Sequence, residues 1–195
     1  MSHHIYHTEG LVLSGYNTGE ANKYVAVFTR ELGLVRAVVQ GIRKGTSRLR
    51  YALQNYSLAR VDFVRGRDVW RITSATPMTL FDAGLHDPDK ARVVARVTAL
   101  LERLCPGEEE NEAFFAEVLT GLQTLEYMDA SEEALLNFEA VFVAKILYHL
   151  GYWKEEKETD EFIILPMRDS LAGGFVSGRR RVVDRINESL KESHL

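Results

Sequence analysis

Between Leu32 and Arg60 the chain carries Arg36, Arg43, Lys44, Arg48, Arg50 and Arg60 with no Asp or Glu among them. A run of one sign attracts anions, and five of these six groups are guanidinium forks, whose planar donors suit phosphate oxygens and ring stacking better than an ammonium does. Lys23 lies just upstream, and Tyr24, Phe28, Tyr51 and Tyr56 are interleaved with the cations. Cations that follow a phosphate backbone, beside rings on which bases stack, perform the chemistry of nucleic-acid binding. The candidate phosphate contacts are therefore Lys23, Arg36, Arg43, Lys44, Arg48 and Arg50, with Phe28 expected in the core. A second basic cluster, Arg179, Arg180, Arg181 and Arg185, opens the last predicted helix, where the macrodipole disfavours positive charge. It meets an external anion or neutralises the acidic residues around it; the residues leave both open.

Other chemistries lack their usual supports. The chain has no phosphate-binding Gly-x-x-x-x-Gly-Lys-Ser/Thr loop, no Gly-x-Gly-x-x-Gly, no His-Glu-x-x-His and no Gly-x-Ser-x-Gly. His3, His4 and His7 read as solvated side chains of a terminus, and Glu108-Glu109-Glu110 and Glu155-Glu156 as solvated charge. Cys105 reads as a packed thiol. The expectation is a protein without catalytic residues, metal or cofactor.

The charge is unevenly divided. The 195 residues hold 24 Lys plus Arg and 28 Asp plus Glu, net −4, which by itself speaks against an anionic partner. Residues 1–80, however, carry eleven basic groups against five acids, net +6, leaving net −10 for the remainder. Such asymmetry points to nucleic acid at the basic end. With one Cys and no basic and apolar leader after Met1, a cytoplasmic protein is expected. The apolar stretch Ala134–Leu150 is interrupted by Asn137, Glu139, Lys145 and His149, so a buried helix is expected there and no membrane role.

The elements that must position these residues change character near Leu80. Upstream, a period of two on β-branched and aromatic residues predicts five short antiparallel strands, at Gly10–Gly15, Lys23–Thr29, Leu34–Gln40, Ser57–Val64 and Val69–Ala75. Arg30-Glu31-Leu32-Gly33 and Arg65-Gly66-Arg67-Asp68 are their turns, and Leu49 and Leu53, four apart, predict a helical turn in the bridge from Gly41 to Gln54. Such strands suit a partly open barrel of the OB type, with an SH3-like barrel as the other possibility. Downstream the period is helical. Asp87-Pro88 starts one helix that stops at Cys105-Pro106-Gly107, Asn111 begins a second, Ser131 or Asp129 caps a third that ends at Gly151, and Gly178–Ser193 is the last. The expected class is α+β and multi-domain, a barrel over residues 1–79 and a helical bundle over 80–195.

The segments Glu9-Gly10-Leu11-Val12-Leu13, Gly19-Glu20-Ala21-Asn22-Lys23, Phe28 to Ala37 and Gln40 to Leu49 resemble, in order and spacing, the bacterial recombination mediator RecO family. Leu53 to Leu58, Phe138-Glu139 and His149-Leu150-Gly151-Tyr152 fit the same pattern, so the resemblance covers residues 5–152. It implies an OB domain followed by a helical domain and a nucleoid-associated protein that binds single- and double-stranded DNA, anneals complementary strands and helps load RecA onto gaps coated by single-strand-binding protein. It also implies RecR and the acidic C-terminal tail of single-strand-binding protein as partners. Lys145, Arg179, Arg180, Arg181 and Arg185 are the cations near apolar helices that such a tail would meet. Many members carry a four-cysteine zinc site after the segment matching Gly151-Tyr152, and this chain has no cysteine there. The competing reading is a protein-interaction adaptor whose barrel binds DNA weakly or not at all; a nuclease with carboxylates assembled by the fold is the remoter one.

Overall fold

The computed structural model describes residues 4–81, 87–129, 131–154, 161–172 and 178–192. Strands β1 (Ile5–Thr18), β2 (Asn22–Thr29), β3 (Gly33–Val39), β4 (Ser57–Arg65) and β5 (Trp70–Leu80) close into a barrel in the order β1-β2-β3-β5-β4. Alternate residues point inward. Val25 and Val27 of β2, Val35, Ala37 and Val39 of β3, Val61 and Phe63 of β4, and Trp70 and Ile72 of β5 fill the interior. Burial of these side chains is what fixes the register, since a slip of one residue would turn the whole set outward. β1 is long enough to pair with β4 through Ile5–Leu11 and with β2 through Gly10–Thr18, bending at a bulge between Val12 and Ser14.

Two expectations need correction. The barrel is closed rather than partly open, and it is not wholly antiparallel, because β3 and β5 run parallel over Ala37–Val39 and Trp70–Ile72. The cause is parity: in a closed ring of five strands directions cannot alternate all the way round, so one neighbouring pair must be parallel. Strands β1 and β5 also run further than the sequence period indicates, to Thr18 and Leu80.

The connection from β3 to β4 caps one end of the barrel. Gly41, at φ +67, turns the chain, and its amide donates to Asn22 Oδ1 at 3.0 Å. The Leu49/Leu53 spacing yields a short helix, α1 (Leu49–Ala52), with Leu53 buried in the core and Leu49 packed against it. Ser57 Oγ then donates to the Ala52 and Gln54 carbonyls at 2.8 and 2.7 Å, tying the end of α1 to the start of β4.

The chain divides into two compact units, and the first takes in Cys105–Phe115 as well as residues 1–81. This later segment lies on the outside of the β2–β3 hairpin. The Leu34 amide donates to the Gly107 carbonyl at 2.8 Å, and a Cβ on Gly33, at φ +63, would fall 2.5 Å from backbone atoms of Gly107 and Glu109. Phe28 packs its ring on Phe114 and Phe115 at 5.1 and 5.6 Å. Trp70 Nε1 donates to Glu108 at 2.7 Å, and Arg30 pairs with Glu112 at 3.0 Å.

The second unit is helical. It holds α2 (Pro88–Leu104), most of α3 (Glu112–Tyr127), α4 (Glu132–His149), the short α5 (Glu161–Ile164) and α6 (Met167–Ala172), and α7 (Arg179–Glu192). Asp87 Oδ1 accepts the Asp89 and Lys90 amides at the start of α2, and Ser131 Oγ accepts the Ala134 amide at the start of α4. Helix α4 is buried on nearly every side and packs against α2, α5, α6 and α7, as its all-round apolar sequence requires. Gly121 of α3 admits the Phe142 ring, which a Cβ there would meet at 2.3 Å. Among the described residues, no helix is long and apolar enough to cross a membrane. The acidic tract at 155–160 lies outside the described residues, as do His3 and residues 82–86.

Candidate nucleic-acid interface

The outer side of β1, β2 and β3 has two halves. One half, with Phe28 and Leu34 at 3% and 2% exposure, is covered by the Cys105–Phe115 segment. On the other, cross-strand register sets Tyr16 opposite Tyr24, Tyr24 opposite Val38, and Val38 opposite Arg71 of β5. Two residues forward along β2 and two back along β3, Ala26 stands opposite Arg36. Tyr16 is 63% exposed, Tyr24 is half-buried, and their rings lie 5.3 Å apart at 31°. Arg36 and Arg71 are exposed. In the other direction β3 leads through Gln40 into the basic connection to α1. The aromatic row therefore stands between Arg36 and that connection, on a surface open to solvent.

The six candidate cations take different positions. Lys23 points to the mouth of the barrel, where its stem fills the space left by Gly15 and Nζ donates to the Leu53 carbonyl at 3.4 Å. Burial lowers its pKa. Arg43 donates to the Gly19 and Glu20 carbonyls at 3.3 and 3.1 Å, and its amide donates to Ala21, so it ties the connection to the β1–β2 turn. Arg36 stands on β3, while Lys44, Arg48 and Arg50 project from the connection and α1, all exposed. Of the aromatics, Tyr51 is 70% exposed on α1, Tyr56 is half-buried and Phe28 is core. Tyr16 and Arg71 escaped the sequence reading, although both carry a signal. A hairpin with the three-residue loop Gly19-Glu20-Ala21 pairs residue 16 with residue 24, and Arg71 alternates with inward Trp70 and Ile72.

Residues 1–81 match the family described as recombination protein O, N-terminal. The chain is 30% identical over 151 residues to the DNA repair protein RecO of Heliobacterium modesticaldum, an alignment covering 77% of this chain and 53% of that protein. It is 35% identical over 133 residues to the DNA repair protein RecO of a Nocardioides species, covering 67% and 53%. The protein of the same name from Rubrobacter xylanophilus is 30% identical over 150 residues, covering 76% and 58%. The chain belongs to the RecO family. It spans about half the length of these curated relatives.

Among the described residues, no group of three or more His, Cys, Asp or Glu is placed to hold a metal ion. The chain's one thiol, Cys105, is pushed up to about 12 by burial, with Arg36 acting in the opposite sense. A thiol that is protonated at neutral pH is a poor metal ligand and a poor nucleophile.

The cations suggested for a partner's acidic tail are also divided. Lys145 of α4 is 2% exposed; its Nζ donates to the Ile163 and Leu165 carbonyls at 2.8 and 2.6 Å and faces Glu117 at 3.3 Å, so it clasps the α5 segment within the helical unit. Arg179 donates to Asn137 at 3.1 Å. Arg185 lies 4.1 Å above the Trp153 ring and donates to the Lys154 carbonyl. Arg180 and Arg181 remain on the exposed side of α7. Side-chain burial, which periodicity within one helix does not report, separates Lys145 from the other four.

Proposed function

We propose that this chain is a DNA-binding recombination mediator in DNA repair, which holds single- and double-stranded DNA on its barrel and promotes annealing without catalysing a covalent step. The observation that carries the reading is the exposed set Lys44, Arg48 and Arg50, drawn from a stretch without Asp or Glu, beside the open aromatic row in a RecO-family N-terminal module. Guanidinium and ammonium groups displace condensed counterions from phosphates, and the entropy of their release drives association. Strands whose phosphates are neutralised on one surface repel each other less, and base pairing then joins them. Family membership extends the proposal to RecA loading on DNA coated by single-strand-binding protein, with RecR and that protein's acidic tail as partners. Of the five cations suggested for such a tail, Arg180 and Arg181 are the exposed ones. The setting proposed is cytoplasmic, at the nucleoid.

The test is a salt titration of binding to a fluorescent single-stranded oligonucleotide, wild type against the Lys44→Ala/Arg48→Ala/Arg50→Ala variant. Neutralising about five phosphates predicts that log K falls with log[salt] at a slope of roughly −3.5, and the variant flattens it by about 2 units. A weak, flat titration that the substitutions do not change replaces this proposal with the adaptor reading.

A further inference from the structure

We propose that Tyr16 and Tyr24 form a stacking platform that makes the barrel select unpaired over paired DNA. The inference rests on the DNA-binding reading above and adds the strand type. The tyrosines are cross-strand partners, 5.3 Å apart and tilted by 31°, on the outer side of the barrel. A cross-strand aromatic pair contributes to holding a hairpin together, and that explains why the two rings touch. It does not explain why Tyr16 keeps 63% of its surface in water while the other aromatic on this side of β2, Phe28, is covered by Phe114 and Phe115. The uncovered rings lie in the row that ends on Arg71, with Arg36 on one side and the connection bearing Lys44 and Arg48 on the other. A flat apolar surface flanked by guanidinium groups complements a strand whose bases turn inward and whose phosphates run along the rim.

The chemistry discriminates strand types because a base can lie against a ring only if its own face is free. In a duplex the faces are already stacked on neighbouring pairs, so a duplex can use the cations of this surface but not the rings. The tyrosines thus set the ratio of single-strand to duplex affinity, while the cations set the common electrostatic part.

Binding is measured by fluorescence anisotropy with three probes of equal length: oligothymidylate, an abasic strand and a duplex. Tyr16→Ala and Tyr24→Ala should each weaken oligothymidylate binding by about fivefold to a hundredfold or more, the equivalent of the roughly 1–3 kcal/mol that stacking on one base is worth. Binding to the abasic strand and duplex should change by no more than about twofold, with the salt slope kept, because phosphate contacts are intact. Tyr16→Phe, which keeps the ring, should behave as wild type. Equal losses on all three probes, or no loss on oligothymidylate, overturn the proposal. If the wild type binds all three through Lys44, Arg48 and Arg50 and the tyrosine variants are silent, the platform alone falls. If the wild type binds none, the DNA-binding reading falls with it.

Discussion

His149 sits at the end of α4 one turn beyond the buried Lys145, and its titration is coupled to the same surroundings. Burial lowers its pKa from the ordinary 6.5, the Glu117 carboxylate acts to raise it, and the Lys145 charge lowers it further. Burial likewise lowers the Lys145 pKa, with Glu117 opposing. For a base whose folded pKa lies below its unfolded value, the unfolded chain binds more protons in the interval between the two, so stability rises with pH across it. The contribution of neutral His149 is complete above 6.5 and is lost as the pH falls from there through the lower folded value. Thermal unfolding followed between pH 7.5 and 5 should therefore show a falling midpoint, and His149→Gln, which cannot take up the proton, should flatten that fall. An unchanged slope in the variant would mean that other groups carry the acid sensitivity.

At the scale of elements, the Cys105–Phe115 segment decides which part of the barrel surface is open. It binds by backbone, through Leu34 to Gly107, and by rings, through Phe28 to Phe114 and Phe115, with Glu108 held by Trp70 at 2.7 Å and by Arg65 at 3.3 Å. Phe114 is 2% exposed, so Phe114→Ala should destabilise the protein by about 3–5 kcal/mol, the range for deleting a buried ring, as read from urea unfolding. A loss under about 1 kcal/mol would show that the segment is only loosely attached. None of this attachment is visible in the sequence. Cys105-Pro106-Gly107 reads as a helix stop, the three glutamates after it read as solvated, and a backbone hydrogen bond leaves no mark on residue type. Strand positions and helix caps were legible because they depend on local rules: alternation in Val25 to Thr29, the Leu49/Leu53 spacing, and the oxygens of Asp87 and Ser131. The direction of Lys23 was not. Both faces of β2 are apolar, since Ala26 and Phe28 are buried on the outer side as firmly as Val25 and Val27 on the inner, so the pattern alone does not say which face meets solvent. The candidate site was legible as a charged stretch, and only the register between strands distinguishes its exposed cations and rings from those tied inward.

Over the whole molecule, the basic residues of the chain's first 80 positions, net +6, are folded into the unit that carries the open aromatic row, while the acidic remainder supplies that unit with one segment of its own. That segment is acidic, with Glu108, Glu109, Glu110 and Glu112, and its ion pairs with Arg30 and Arg65 hold those cations on the covered side of the barrel. Lys44, Arg48 and Arg50 lie outside this pairing and are exposed to solvent. The family match ends at residue 81, before this segment begins. A fragment ending there contains every strand but uncovers Phe28 and Leu34, at 3% and 2% exposure in the whole chain, on an outer face where neighbouring apolar groups favour self-association. The fragment should bind a hydrophobic dye such as ANS, melt below the intact chain and associate as its concentration is raised, whereas the intact chain neither binds the dye nor associates under the same conditions. Adding the peptide of residues 105–115 in excess should reduce the dye signal, because binding to the folded state alone stabilises it by mass action. A fragment that melts with the intact chain and binds no dye would show that the strands complete the barrel without the acidic segment, and that the segment serves only to neutralise Arg30 and Arg65.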